Sequence, residues 1–145
     1  EKGYRSWKSD LTSDYTMIES GLGRWVKFDK DDFVGRAALH TEHQSGAKRE
    51  FVTLKIDDPA DYSLTPFGEA VYLSSVQCDG VDAGLVVSAG YGHRLGTSIA
   101  MAVLNKEKLA SASHITVNVL GREREAHLVP GHVLYDPQNQ KLKGV

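Results

Sequence analysis

Phe51-Val52-Thr53-Leu54-Lys55-Ile56 opens a series of short apolar runs that decides the fold. It is followed by Ala70-Val71-Tyr72-Leu73, Gly84-Leu85-Val86-Val87-Ser88, Ser98-Ile99-Ala100-Met101-Ala102-Val103-Leu104, Ile115-Thr116-Val117-Asn118-Val119-Leu120 and Ala126-His127-Leu128-Val129. Each run is about the length of a strand. Turn-forming clusters separate them: Asp57-Asp58-Pro59, Thr65-Pro66-Phe67-Gly68, Asp79-Gly80 and Leu120-Gly121-Arg122. The spacing predicts a mostly β fold, a closed or nearly closed antiparallel barrel of about six strands between Arg49 and Val129. Ser98 to Leu104 is read as a strand, although its composition would also suit a helix.

Upstream of the series the pattern changes. The first thirty residues hold no sustained helical period, and Trp25-Val26-Lys27-Phe28 alternates like a short half-buried strand. Asp31 and Asp32 precede Phe33-Val34-Gly35-Arg36-Ala37-Ala38-Leu39, which predicts a short helix ending near Gly46 and acting as a hinge. The expected division is therefore 1–46, a loop, strand and linker helix, and 47–145, the barrel.

The chain has 145 residues, of which 41% are hydrophobic and 25% charged, with a net charge of -2. That suffices for one sizeable core and gives no global field to attract nucleic acid or an anionic membrane. No apolar run approaches the roughly 20 residues of a membrane-spanning helix. A single cysteine, Cys78, excludes an internal disulfide and has no C-x-x-C companion, so it reads as inert. The opening Glu1-Lys2-Gly3-Tyr4-Arg5 is what a piece of a longer protein would show.

The candidate chemistry is sparse. The six histidines, His40, His43, His93, His114, His127 and His132, have no acid or cysteine constellation to complete a tetrahedral metal set. Ser88-Ala89-Gly90-Tyr91-Gly92-His93 matches neither G-x-S-x-G nor a phosphate-binding loop, and its glycines suit a tight turn or a close backbone approach. Glu1, Glu19 and Arg49, taken singly, read as solvated charges.

Three motifs in order change that reading: Glu1-Lys2-Gly3-Tyr4-Arg5-Ser6-Trp7, Glu19-Ser20-Gly21-Leu22, and Asp32-Phe33-Val34-Gly35-Arg36-Ala37-Ala38-Leu39. Together they resemble the glycine-cleavage T-protein, or aminomethyltransferase, superfamily, closest in flavour to the folate domains of dimethylglycine and sarcosine dehydrogenases. Arg49-Glu50-Phe51-Val52-Thr53-Leu54, Gly84 to Leu104 and Leu134-Tyr135-Asp136-Pro137 resemble the family's C-terminal barrel. The sequence departs from the family's habit at Thr16-Met17-Ile18-Glu19-Ser20 and at Val87-Ser88-Ala89.

The resemblance implies a tetrahydrofolate site in a central cavity of the parent enzyme. Glu1 would accept hydrogen bonds from the pterin, Arg49 would meet the glutamyl tail, and Trp7 and Tyr91 would stack near the cavity. It also implies that residues 1–46 are the tail of the folate-binding domain. The catalytic aspartate, most of the pterin pocket and any FAD domain would lie in upstream domains of the same parent chain. The parent would oxidatively demethylate dimethylglycine or sarcosine, in the cytoplasm of a bacterium or the mitochondrial matrix of a eukaryote, while the isolated piece would be inactive. Two rivals are a stand-alone aminomethyltransferase without flavin and a non-catalytic folate-binding or structural barrel.

Overall fold

The computed structural model describes residues 1–57, 69–141 and 143–144. Six strands, β1 (Arg49–Ile56), β2 (Ser75–Cys78), β3 (Val81–Gly92), β4 (Thr97–Asn105), β5 (Ile115–Val119) and β6 (Arg122–Leu128), form the barrel. Their order is β1-β4-β3-β2-β5-β6, and β6 returns to pair with β1, so the sheet closes with every pairing antiparallel. Closure removes the unpaired edges that an open sheet of this size would expose.

Two hairpins follow directly from turn chemistry. Asp79 and Gly80 have φ of 49° and 77°, and Leu120 and Gly121 have φ of 49° and 89°. Positive φ at both central residues is the tight turn whose twist matches that of paired strands. The expected turns from Asp58 to Gly68 lie outside the described residues.

Inside the barrel, Val52 faces Ala102 and Leu54 faces Ala100 across β1 and β4. All four are buried, and pairing a large side chain with a small one lets the narrow interior fill. Outside the barrel a second apolar cluster forms from Phe51, Val87 and Val103, with Tyr15 and Met101 packed on it. Strand β1 is consequently buried on both faces from Phe51 to Leu54, where strict alternation would leave one face wet.

Several local expectations change. The run Ala70 to Leu73 is not a strand: Val71, Tyr72 and Leu73 are exposed, Leu73 has φ 65°, and the pairing edge belongs to β2 five residues later. Trp25 to Phe28 is not a strand either. The chain there bends through a 3-10 turn, Gly23–Trp25, with Trp25 N–H on Leu22 O and Val26 N–H on Gly23 O. Helix α1 (Arg36–Ser45) is present, but Gly35 precedes it with φ 87°, so Asp31 and Asp32 do not cap it. Ser88 to Gly92 belongs to β3, not to a turn. A helix that the sequence reading passed over, α2 (Lys106–Ser111), is capped by the Asn105 side chain accepting from Lys108 N–H.

Gly84 marks where β3 and β4 press together. A Cβ there would stand 2.1 Å from the Val103 carbonyl oxygen, and the residue's φ is 153°. Gly84→Ala is therefore expected to lower unfolding free energy by about 2 kcal/mol or more in urea titration, whereas Gly80→Ala, with φ 77° and open space around it, should cost only about 1 kcal/mol. Equal losses would contradict the close-approach account.

Candidate functional site

A concavity of about 220 Å³ opens on the outer face of β3 and β4, lined by Glu1, Ser88, Tyr91, Gly92, Ile99 and Met101 among others. Sequence neighbours do not create it. Strand β3 slips register between Val86 and Ser88, so Val86 and Val87 are both buried while Ser88 to Tyr91 turn toward the concavity. Glu1 arrives from the other end of the chain. Its carbonyl accepts from Leu134 N–H at 3.1 Å and Tyr135 N–H at 3.0 Å, and its Oε1 accepts from Arg94 N–H at 2.9 Å.

Gly92 makes room for that carboxylate. A Cβ at Gly92 would lie 3.2 Å from Glu1 Oε1 and 2.8 Å from the Ile99 side chain. The other oxygen, Oε2, has no hydrogen bond among the described residues. Tyr91 stands on the same rim, its ring edge-on to His93 at 5.2 Å. Glu1 and Tyr91, distant in sequence, thus share one small cleft that offers a flat ring and an open carboxylate oxygen.

Arg49 is elsewhere and otherwise engaged. Its Nε donates to Glu19 Oε1 at 2.8 Å, and its Nη2 donates to Glu19 Oε2 at 2.9 Å and to Asp14 O at 2.8 Å. The two-point edge expected to face a ligand carboxylate is taken by Glu19. The guanidinium also lies over the Tyr15 ring, 4.8 Å from its centroid. Burial works against the Glu19 carboxylate, but hydrogen bonds from Arg49 and Thr16 and the Arg49 charge outweigh it, so its pKa lies below the ordinary value. The Glu19 hydrogen bond, in turn, raises the pKa of Arg49.

The segment from Arg49 to Asp136 matches the family described as the glycine cleavage T-protein C-terminal barrel domain, over residues 49–136. The chain belongs to that family. An aminomethyltransferase of Desulfitobacterium hafniense is 27% identical over 122 residues, which is 84% of this chain and 31% of the relative. The mitochondrial dimethylglycine dehydrogenase of Rattus norvegicus is 30% identical over 147 residues, covering 99% of this chain and 16% of the relative. In fold, the chain is similar to the glycine cleavage system aminomethyltransferase T of Bartonella henselae, with TM-score 0.65 and 22% identity over 89% of this chain and 33% of that one. The chain therefore spans a third or less of these relatives.

In the segment before the T-protein barrel the remaining expected residue, Trp7, is 77% exposed beside an isolated bridge to Leu11 and does not line the Glu1–Tyr91 cleft. The histidines scatter: His40 and His43 lie against Phe28, His127 Nε2 meets Asp57 Oδ1 at 3.1 Å, and His132 is edge-on to Phe51. Among the described residues no three His, Cys, Asp or Glu side chains gather as a metal site. Cys78 is buried in the barrel, and burial raises the pKa of its thiol. No helix of the described residues is long and apolar enough to cross a membrane.

Of the two residues that fix the cleft, Gly92 was among the glycines expected to serve a turn or a close approach, and Arg94 was passed over. Arg94 acts through a backbone N–H that any residue could supply. Gly92 carried a signal, since a glycine inside a strand often marks a close approach, but its partner lay 91 positions upstream at Glu1.

The Arg49–Glu19 pair yields a two-part expectation. Glu19 is 5% exposed, while the Arg49 side chain is 42% exposed, so solvent screening moderates the pair. Arg49→Ala should cost about 1–3 kcal/mol, and Glu19→Gln in the same protein should add much less than it does alone. The pKa of Glu19 is lower folded than unfolded, so its stabilisation is present above the ordinary carboxylate range and is lost as pH falls through the folded value. Denaturant titrations between neutral and acid pH should show this loss in the wild type and a shallower one in Arg49→Ala. Additive mutants with identical pH slopes would contradict it.

Proposed function

We propose that this chain is the C-terminal part of a folate-dependent one-carbon enzyme and forms one wall of its tetrahydrofolate site through Glu1 and Tyr91. The observation that carries this reading is the cleft itself, which brings together two of the four expected ligand residues from 90 positions apart in the chain. Its chemistry suits one edge of a pterin: Glu1 Oε2 is open to accept from an amino-pyrimidinone, Arg94 N–H holds the other oxygen in place, and Tyr91 puts an aromatic ring on the rim. At about 220 Å³ the cleft can take the rim of a flat bicycle and not a whole folate, which fits a site whose other walls come from upstream domains. When bound, reduced folate supplies the nitrogens that accept the one-carbon unit.

In this reading the parent oxidatively demethylates a methylated amine, dimethylglycine or sarcosine, and transfers the one-carbon unit to tetrahydrofolate. The dehydrogenase type is favoured because its rat relative aligns over 99% of the chain, against 84% for the Desulfitobacterium hafniense aminomethyltransferase. No residue of this chain is assigned to a flavin, and FAD belongs to the parent's upstream domains. Arg49 holds residues 14–19 against the barrel and shapes the site indirectly. Trp7, 77% exposed in the first 46 residues, is where those upstream domains would pack.

Titration of tetrahydrofolate into the parent enzyme tests the assignment. Glu1→Gln should weaken binding by about 1.5–3 kcal/mol, the worth of a charge-assisted hydrogen bond, and Tyr91→Ala by about 1 kcal/mol. Amine oxidation, measured by flavin reduction, should stay near wild type in both. Unchanged folate affinity in Glu1→Gln would overturn the reading.

A further inference from the structure

A second, larger groove of about 570 Å³ lies where the first five residues, the turn at Gly21 to Trp25 and the segment after β6 converge. Lys2, Arg5, Arg24 and His132 line it, and among the described residues no carboxylate does. Lys2 is already engaged: its Nζ donates to Asp136 O at 2.7 Å and Asn139 Oδ1 at 2.6 Å, with Asp136 Oδ2 at 3.9 Å. The other cations are not.

Arg5 is held firmly but not hydrogen-bonded. Its guanidinium lies over the Phe51 ring at 4.1 Å, and Gly21 clears space for it, since a Cβ there would stand 2.6 Å from Nη2. Its Nε is buried, and the side chain makes no hydrogen bond to any described residue. The charge of Asp10 acts on Arg5 without a hydrogen bond: Asp10 is 1% exposed, its Oδ2 accepts from Ser6 N–H at 2.6 Å, and its Oδ1 is buried with no partner. Arg24, against the Trp25 ring at 5.1 Å, likewise has no side-chain hydrogen bond to a described residue. Nδ1 of His132 is a further buried polar atom without a partner.

Two guanidinium groups that repel each other across a shared groove raise the free energy of the protein unless an anion joins them. Burial first, and then the charge of Arg24, lower the pKa of Arg5 against a smaller opposing effect of Asp10; burial and Arg5 lower that of His132 against a smaller opposing effect of Glu50. Lining a groove with planar guanidinium donors that make no hydrogen bond, and with no carboxylate among its described lining residues, is the arrangement that recognises carboxylate or phosphate oxygens.

We propose that this groove is an oxyanion site in which Arg5 and Arg24 together hold a dianion of the dicarboxylate or phosphate class. Two cations set the charge of the ligand at two. Phe51 and Gly21 fix Arg5 before the ligand arrives, which reduces the ordering cost of binding. The groove is separate from the Glu1–Tyr91 cleft, so it stands whether or not that cleft binds folate.

The test is calorimetric titration of the 145-residue chain at low salt with glutarate, inorganic phosphate and butyrate. At least one dianion should bind saturably, about tenfold or more tighter than butyrate, and weaken as salt screens the charges. Whichever of glutarate and phosphate binds more tightly identifies the headgroup. Arg24→Gln, on an exposed side chain, should lose about tenfold in affinity with an unchanged melting temperature. Arg5→Lys should lose a similar factor, because an ammonium keeps the charge without the planar fork. Lys55→Gln, an exposed lysine outside both sites, should leave the affinity at wild type. Absence of saturable dianion binding, equal binding of butyrate, or full affinity in Arg24→Gln would each overturn the proposal.

Discussion

Phe51 points out of a closed barrel, yet only 1% of it is exposed, and the burial of this one ring organises everything upstream. Its cover comes from far away in sequence: Arg5 lies on its face, His132 meets its edge, and Tyr15 packs on the cluster it forms with Val87 and Val103. A large ring stripped of water in this way stabilises by about 1.5–3 kcal/mol, but only if the covering segment is held there. The holding groups surround it. Phe51 N–H donates to Glu19 O at 2.9 Å, Arg49 pairs with the Glu19 carboxylate, and Gly3 lets residues 1–5 lie against the His132 carbonyl, where a Cβ would come within 2.3 Å.

That cover places the site. With residues 1–5 pinned beside His132, Glu1 reaches the turn after β3 and meets Arg94 N–H, and the cleft with Tyr91 closes around the bulge at Val87. A barrel alone would present Ser88, Tyr91 and Met101 on an open outer face. The amino-terminal strap converts that face into a concavity, so the candidate site depends on tertiary docking and not on any local motif.

This explains what could be read from the sequence. The barrel was legible because strand period and turn chemistry are local properties: Asp79-Gly80 and Leu120-Gly121 specify hairpins whatever surrounds them. Ala70 to Leu73 misled because an apolar run signals burial and β-propensity but not pairing, and Leu73 turns away with positive φ. Trp25 to Phe28 misled in the same way, its alternation shared with a tight 3-10 turn. Glu1 and Tyr91 carried no local signal at all; only the likeness to a family of longer proteins raised them above ordinary surface residues.

The arginines make the limit plain. Arg49 and Arg5 each lie over an aromatic ring, at 4.8 Å from Tyr15 and 4.1 Å from Phe51, and each was equally capable of meeting an anion. What separates them is whether a carboxylate is already in reach. Glu19 stands 30 positions before Arg49 and neutralises it through two hydrogen bonds, whereas Asp10, the acid whose charge acts on Arg5, is buried and makes no hydrogen bond to it. An arginine whose fork is filled acts as a fastener, and one whose fork is open, beside a second open cation, is positioned to bind. Residue type and spacing are the same in kind for both, so only the fold, by choosing which acid lies beside which guanidinium, assigns them different work.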